Sequence, residues 1–368
     1  MQFGIMFFSS TSQGCERDKY ALLKSAARFA DERGFCAVWS PERHFHRFGW
    51  LFPNPSVTSA ALAMITDKIQ IRAGSLISPL HDTVRVAEDW SVVDNFSQGR
   101  VGISFGSGWN VDDFVFFPER YANRQAIMYE QIDIVKRLWS GEAVMLPNGS
   151  GRLTEVRISP TPVQKQLPIW ITSSGNAETF AAAGRRGLNV LTHLLGQDVA
   201  TLAGKIAIYR GERQKHGHDA FGGTVSLMLH TFVGADVESV RAKVRKPFRE
   251  YLRSAVELEA KSAKGGGVIS GGRHMSNEEI STSNLEALLD VTFDRYFNEG
   301  SLMGTPDSCR KFVCVLKEIG VDEIACLIDF GVDADAVFES LEYLDQLRAY
   351  FNTPASAFAA PFMESLED

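Results

Sequence analysis

Residues 36–49, CAVWSPERHFHRFG, place Glu42, Arg43, His44 and His46 directly after a short apolar run that ends at Trp39. The run reads as a buried strand, so a carboxyl, a guanidinium and two imidazoles collect just past its C-terminal end. In a parallel α/β barrel that end is where chemistry is done. An imidazole titrates near neutrality and can donate or accept a proton at a reacting centre. One histidine alone would read as a surface or packing residue. Four polar groups beside Phe45, Phe48 and Trp50 point to a site.

Three further strand exits carry polar or small residues. Thr172-Ser173-Ser174-Gly175-Asn176 ends one apolar run and opens a helical pattern over 177–185. Two hydroxyls, a glycine for close backbone approach and a polar cap at a helix N-terminus suit an anion such as phosphate. They also suit an ordinary capped βα loop. The next run leaves through Thr192-His193-Leu194-Leu195-Gly196-Gln197, which could complete the same pocket. A third exit, Ser104-Phe105-Gly106-Ser107-Gly108-Trp109-Asn110, offers room at its glycines and a wall at Trp109. It lacks the spacing of a dinucleotide or P-loop fingerprint. His81, at the start of a helix, reads equally as structural or catalytic.

Positioning these residues requires alternating strands and helices. Apolar runs at 3–8, 36–39, 69–73, 101–105, 169–172, 189–192, 225–233 and 324–328 give eight strands, each nearly continuous in apolar character as a strand buried on both faces must be. Helical patterns fall at 20–32 (closed by Gly34), 57–65, 83–96 and 123–139. Another follows at 309–319, with Thr305 as N-cap and Pro306 at the first helical position. The expected architecture is one (β/α)8 barrel over residues 1–354 with a flexible tail at 355–368. Two insertions break the rhythm. Residues 140–168 read as a loop or small hairpin before the fifth strand. Residues 235–304 lie between the seventh and eighth strands, and within them 261–284 is rich in Gly, Ser and charge, as in a lid or a disordered loop.

Composition narrows the function. Lysine and arginine number 38 against 45 aspartates and glutamates, a net charge of −7 that argues against a broad nucleic-acid face. The basic cluster RAKVRKPFREYLR at 241–253 reads as the solvated face of a helix. The five cysteines are scattered without a CxxC pair, so neither a disulfide frame nor a thiolate zinc site is expected. No apolar run approaches a membrane span, and MQFGIMFFSS has no basic leader before its apolar residues. A cytoplasmic protein is expected.

Several stretches resemble the bacterial luciferase-like flavin monooxygenases, and within them a branch associated with polyketide and nonribosomal peptide biosynthesis. They are FGIMFFSS, VWSPERHFHRFGWLFPNPS, RAGSLISPLHDTVRVAEDWSVVDNFSQGRVGISFGSGW, ITSSGNAETFAAAG, VLTHLLGQ, MLHTFVG and GVDEIACLIDFGV, which together run from residue 3 to about residue 332. The resemblance implies a TIM-type barrel that uses reduced FMN and O2. It implies that His44 takes part in the flavin–oxygen step, with Glu42 and His81 as further candidates. Glu42 and Arg43 either orient the loop or pair with each other. For the flavin it implies Phe8, a cis non-proline peptide at Gly74-Ser75, Ser104, Gly106 and Trp109 near the ring. Ser173, Ser174, Gly175 and Asn176 fall at the phosphate, with His193, Leu195 and Gln197 beside them. Luciferase itself has an arginine near 105–108 as a phosphate partner, and this sequence has Phe105-Gly106-Ser107-Gly108 there.

A homodimer is implied too, joined through the helix that begins near His81 and the one before it. So are an external NAD(P)H:flavin reductase and a small-molecule or carrier-protein-bound acyl or aminoacyl substrate. The substrate is oxidised by hydroxylation or by Baeyer–Villiger insertion. Two other readings share the barrel. One is hydride transfer with the deazaflavin F420. The other is a metal-dependent hydrolase using His44, His46, His193, His230 and Asp329. The second is disfavoured because its HxH pair follows the second strand instead of lying on the first, and because no strand-end lysine is placed to bridge two metals.

Overall fold

The computed structural model of the protein describes residues 1–8, 18–46, 49–264 and 282–352. The chain begins with β1 (Gln2–Met6), α1 (Ala21–Arg33), β2 (Ala37–Ser40), α2 (Pro55–Ala63), β3 (Gln70–Ile77), α3 (Thr83–Ser97), β4 (Val101–Gly106) and α4 (Arg124–Trp139). An antiparallel hairpin, β5 (Val144–Pro147) and β6 (Leu153–Val156), precedes β7 (Ile169–Ser173), α5 (Ala177–Arg185), β8 (Asn189–His193), α6 (Val199–Lys215) and β9 (Val225–Val233). Two long helices follow, α7 (Val237–Lys264) and α8 (Thr282–Glu299). The chain then runs through β10 (Leu302–Gly304), α9 (Pro306–Glu318), β11 (Glu323–Leu327) and α10 (Ala334–Asn352).

Eight parallel strands close the barrel in the order β1-β2-β3-β4-β7-β8-β9-β11, with β11 returning to β1. The sequence places every one of them. β3 runs past the expected end at residue 73, because a register shift between Gly74 and Leu76 lets it keep pairing with β4 as far as Ile77. β10 has no sequence signal. Three residues carry too little pattern, and they pair with the last three of β9, which also serves β8 and β11.

The barrel interior is a packed polar–aromatic layer. The Arg72 guanidinium lies 4.9 Å from the Trp39 ring and 4.4 Å from the Trp170 ring, and donates to Glu323 Oε2 at 2.7 Å. Trp39 Nε1 donates to the same carboxylate at 3.1 Å. A Cβ at Gly102 would stand 2.9 Å from the Trp170 ring, so glycine makes room for that ring. The filled interior leaves the C-terminal mouth as the place for a ligand.

Local signals set the outer helices. Gly34 ends α1 at φ 76, and Thr305 caps α9 in a reciprocal capping box with Ser308. Thr305→Ala is expected to cost about 1 kcal/mol, read from the denaturant midpoint.

The basic cluster at 241–253 faces solvent at Lys243, Arg245 and Lys246, as expected, but its arginines also bridge to α8. Arg241 pairs with Asp294, Arg245 with Asp290, Arg249 with Glu286 and Asp290, and Arg253 with Glu286, which fastens α7 to α8. The acidic partners lie more than thirty residues downstream, out of view of any local pattern. Of the expected lid at 261–284, the two ends are helical, through Lys264 and from Thr282, and its middle lies outside the described residues. The tail at 355–368 lies outside them as well. Among the described residues no helix is long and apolar enough to cross a membrane.

Candidate active site

β2 ends at Ser40 and the chain turns across the barrel mouth, burying the Glu42 side chain completely. Its Oε1 receives His44 Nε2 at 2.8 Å and His81 Nε2 at 2.7 Å, while Oε2 accepts the Ile77 N–H at 2.7 Å. Glu42 therefore orients two imidazoles and spends no oxygen on Arg43. Burial opposes its charge, but the bonds from His44, His81 and Ile77 outweigh it and hold the carboxyl below its ordinary value. For His81 the balance is similar: burial disfavours the cation, and the adjacent Glu42 carboxylate more than compensates, raising it. A carboxylate can only accept, so both rings carry hydrogen at Nε2. Nδ1 is then the His44 atom left for a substrate.

The His44 ring lies 5.0 Å from Phe116 and 5.5 Å from Phe45. Phe45 is 64% exposed and takes a left-handed φ of 54, rare outside glycine, which turns it outward at the rim. Arg43 lies with its guanidinium 4.4 Å from the Phe8 ring and 5.6 Å from that of Trp109. Phe8 itself donates its N–H to Asp329 Oδ1 at 2.9 Å.

Asp113 completes this half of the mouth. It stands on a short 3-10 segment, Val111–Phe116, buried, with Oδ1 accepting from Asn110 Nδ2 at 2.7 Å. Burial pushes it up to about 6, against the pull of Arg43 and His44. A raised carboxyl costs stability once pH exceeds its folded value and costs nothing below its unfolded one. Asp113→Asn is therefore expected to stabilise the protein by about 2–3 kcal/mol at pH 8. The gain should shrink below pH 6 and vanish near pH 4 in paired thermal melts.

On the third strand the Gly74-Ser75 peptide is cis, as the resemblance implied. A Cβ on Gly74 would fall 2.9 Å from the Trp39 ring and 3.1 Å from Met6 Cε, so its smallness is used inside the barrel. Ser75 Oγ bonds Thr172 Oγ1, which also meets Ser104 Oγ at 2.6 Å. Gly106 packs by Ile77 and Ser75. Small polar side chains from three neighbouring strands thus meet at one point of the mouth.

The opposite half holds the turn after β7. Asn176 caps α5 by accepting the Glu178 N–H at 2.9 Å, and Ser173 Oγ accepts from Gly175 N at 3.3 Å. Ser174 is exposed. Gly175 has φ 115, open to glycine but strained for other residues. The β8 exit closes in beside it. Thr192 Oγ1 donates to Ser173 O at 2.9 Å, Gln197 Nε2 to His193 O at 2.6 Å, and Leu195 N to His193 Nδ1 at 3.1 Å. Gln197 Oε1 accepts from Lys205 Nζ at 2.7 Å. Burial pushes His193 down to about 4.

Residues 1–323 match the profile of the family described as Luciferase-like monooxygenase. The chain belongs to the luciferase-like monooxygenase family. It is 23% identical over 328 residues to the alkanal monooxygenase alpha chain of Photorhabdus luminescens, covering 87% of this chain and 88% of that one. Among solved structures, the monooxygenase RslO1 from Streptomyces bottropensis superposes with TM-score 0.76 at 20% identity, over 96% of this chain and 100% of its own. The oxygenating constituent of 3,6-diketocamphane monooxygenase from Pseudomonas putida, a type II Baeyer–Villiger enzyme in complex with FMN, gives 0.72 at 16%, over 95% and 98%. An F420-dependent secondary alcohol dehydrogenase gives 0.69 at 18%, over 94% and 98%. These structures share the fold.

In this luciferase-like monooxygenase two groups of the candidates from sequence stand at the barrel mouth beside the cluster of Ser75, Ser104 and Thr172. Glu42, His44 and His81 form one, and Ser173, Gly175, Asn176, His193, Leu195 and Gln197 the other. His44 gives its Nε2 to Glu42, and His193 accepts the Leu195 N–H at its Nδ1. His230 is enclosed by Phe248, Tyr251 and Phe330. Among the described residues no group of three or more His, Cys, Asp or Glu side chains could hold a metal ion. Sequence reading missed Asp113 and Lys205. The motif GSGWNVDD offered a signal for the first, in its acids beside a strand exit. Lys205 gave none, as one lysine of an amphipathic helix.

Proposed function

We propose that the protein is a cytoplasmic monooxygenase that takes reduced FMN from an external NAD(P)H:flavin reductase and inserts one atom of O2 into an organic substrate. The observation that carries this reading is the buried Glu42 carboxylate holding His44 and His81 at a barrel mouth whose other side is a capped, hydroxyl-bearing turn. The residues fit the flavin: Gly175 opens a cradle that a Cβ would fill beside Lys205 and Gln197, and the α5 N-terminus suits a phosphate. The family and the FMN-bound fold neighbour support the same cofactor. When bound, reduced flavin supplies the electrons that activate O2.

His44 then holds or moves a proton at Nδ1, Glu42 keeps the ring oriented, and the aromatic neighbours limit water. The exposed apolar rim of Phe45, Trp50, Val115 and Phe116 supports an acyl or aminoacyl substrate presented on a carrier protein in natural-product biosynthesis. An apolar face at Val57 (67% exposed), Met64 (70%) and Phe96 (54%), across the adjoining α2 and α3, supports a homodimer.

The test is rapid mixing of protein and reduced FMN with O2, following flavin absorbance. Reoxidation that is slower than in buffer and passes through a spectrally distinct species supports the reading. Reoxidation as in buffer defeats it. The fold neighbour that uses F420 makes hydride transfer the second reading, and tight F420 binding without FMN binding would establish that instead. Product formed under ¹⁸O2 and then hydrolysed separates the two oxidations: cleavage into two fragments marks Baeyer–Villiger insertion, an intact alcohol marks hydroxylation.

A further inference from the structure

The strand exit after β4, Phe105-Gly106-Ser107-Gly108, supplies no cation for a phosphate, yet a dianion needs one. The two arginines at the C-terminal end of α5 and its cap are engaged elsewhere. Arg185 pairs with Glu178 and Glu212, and Arg186 pairs with Asp133 and lies 4.6 Å from the Tyr129 ring. Arg124, at the start of α4, gives Nε to Gly108 O at 2.8 Å and Nη1 to Tyr121 O at 2.9 Å. Lys205 is placed differently. It rises from α6 so that its ammonium stands 3.2 Å from where a Gly175 Cβ would be, with Gln197 Oε1 at 3.5 Å from the same point. The empty side of Gly175 is therefore walled by a cation and an amide.

We propose that Lys205 is the cation that seats the flavin phosphate on the 173–176 turn and makes the protein select FMN over riboflavin. This rests on the flavin reading above. An ammonium has three donors, and the bond to Gln197 Oε1 uses one. Gln197 is itself held by its Nε2 on His193 O, so it acts as a fixed rest that keeps the lysine over the turn. A phosphate oxygen is a charged acceptor and an amide oxygen a neutral one, so the lysine exchanges its rest for the phosphate when FMN arrives. Gly175 is required twice over, by its φ and by the room its missing Cβ leaves for that exchange.

The experiment measures equilibrium binding of oxidised FMN and of riboflavin by quenching of flavin fluorescence, in wild type, Lys205→Met and Lys205→Arg. Lys205→Met should weaken FMN by about 10- to 100-fold, the worth of a charged hydrogen bond, and leave riboflavin within about twofold. Lys205→Arg should restore most of the FMN affinity. Inorganic phosphate should compete with FMN in wild type. FMN affinity unchanged in Lys205→Met, or an equal loss for both flavins, would overturn the assignment while leaving the cofactor reading intact. Wild type that binds neither flavin would overturn both.

Discussion

His44→Ala is expected to bind FMN within about twofold of wild type while product formation falls by about 10²–10⁴-fold, the usual worth of a positioned acid–base group. The reduced flavin it takes up should still consume O2, but release it as H2O2. The two effects separate because the phosphate turn, with Ser173, Gly175 and Asn176, belongs to β7 and α5, while His44 hangs from the loop after β2. Measuring product, H2O2 and FMN affinity on the same preparation tests this directly. Coupling equal to wild type would remove His44 from the chemistry. Loss of FMN affinity in step with turnover would make it a binding residue.

Glu42→Gln should have the larger structural consequence. The carboxylate takes three hydrogen bonds in a fully buried position, and replacing it leaves His81 charged without its counter-ion. Breaking a buried pair in this way costs about 3 kcal/mol or more. The loss should depend on pH in a definite sense. Glu42 is held below its ordinary value, so its contribution is present above the unfolded carboxyl range and lost as pH falls through the folded value. His81 is raised, so its contribution is full below its ordinary 6.5 and lost as pH rises through the higher folded value. Wild type should therefore exceed Glu42→Gln most between about pH 4.5 and 6.5, with a smaller gap on either side. A stability difference flat across pH 4 to 9 would mean that the hydrogen bonds matter and the charges do not. Turnover should fall as well, since a neutral amide can present its NH2 to His44 Nε2 and so reverse the ring's tautomer.

What the amino-acid sequence determined here is what local physics encodes. Apolar runs buried on both faces, the glycine after α1, the Thr305-Pro306 start of α9 and the alternation of periods specify eight strands and their helices, hence a parallel barrel. Because strand exits of such a barrel share one mouth, the loop at 41–46 and the turn at 172–176 were legible as site segments. Pairing across the barrel was not. Glu42 and His81 are 39 residues apart, Ser75 and Thr172 are 97, and Arg72 and Glu323 are 251. Arg72 reads as a polar interruption of an apolar strand until the closed barrel brings it two tryptophans and a carboxylate. Asp113 and Lys205 are ordinary charged residues in their own segments. Only the tertiary structure buries the first beside Arg43 and His44 and carries the second to Gly175. Hydrogen bonding and desolvation act over a few ångströms of space, whereas periodicity and capping act over a few residues of chain, so the fold followed from sequence and the partners of its buried charges had to await closure of the barrel.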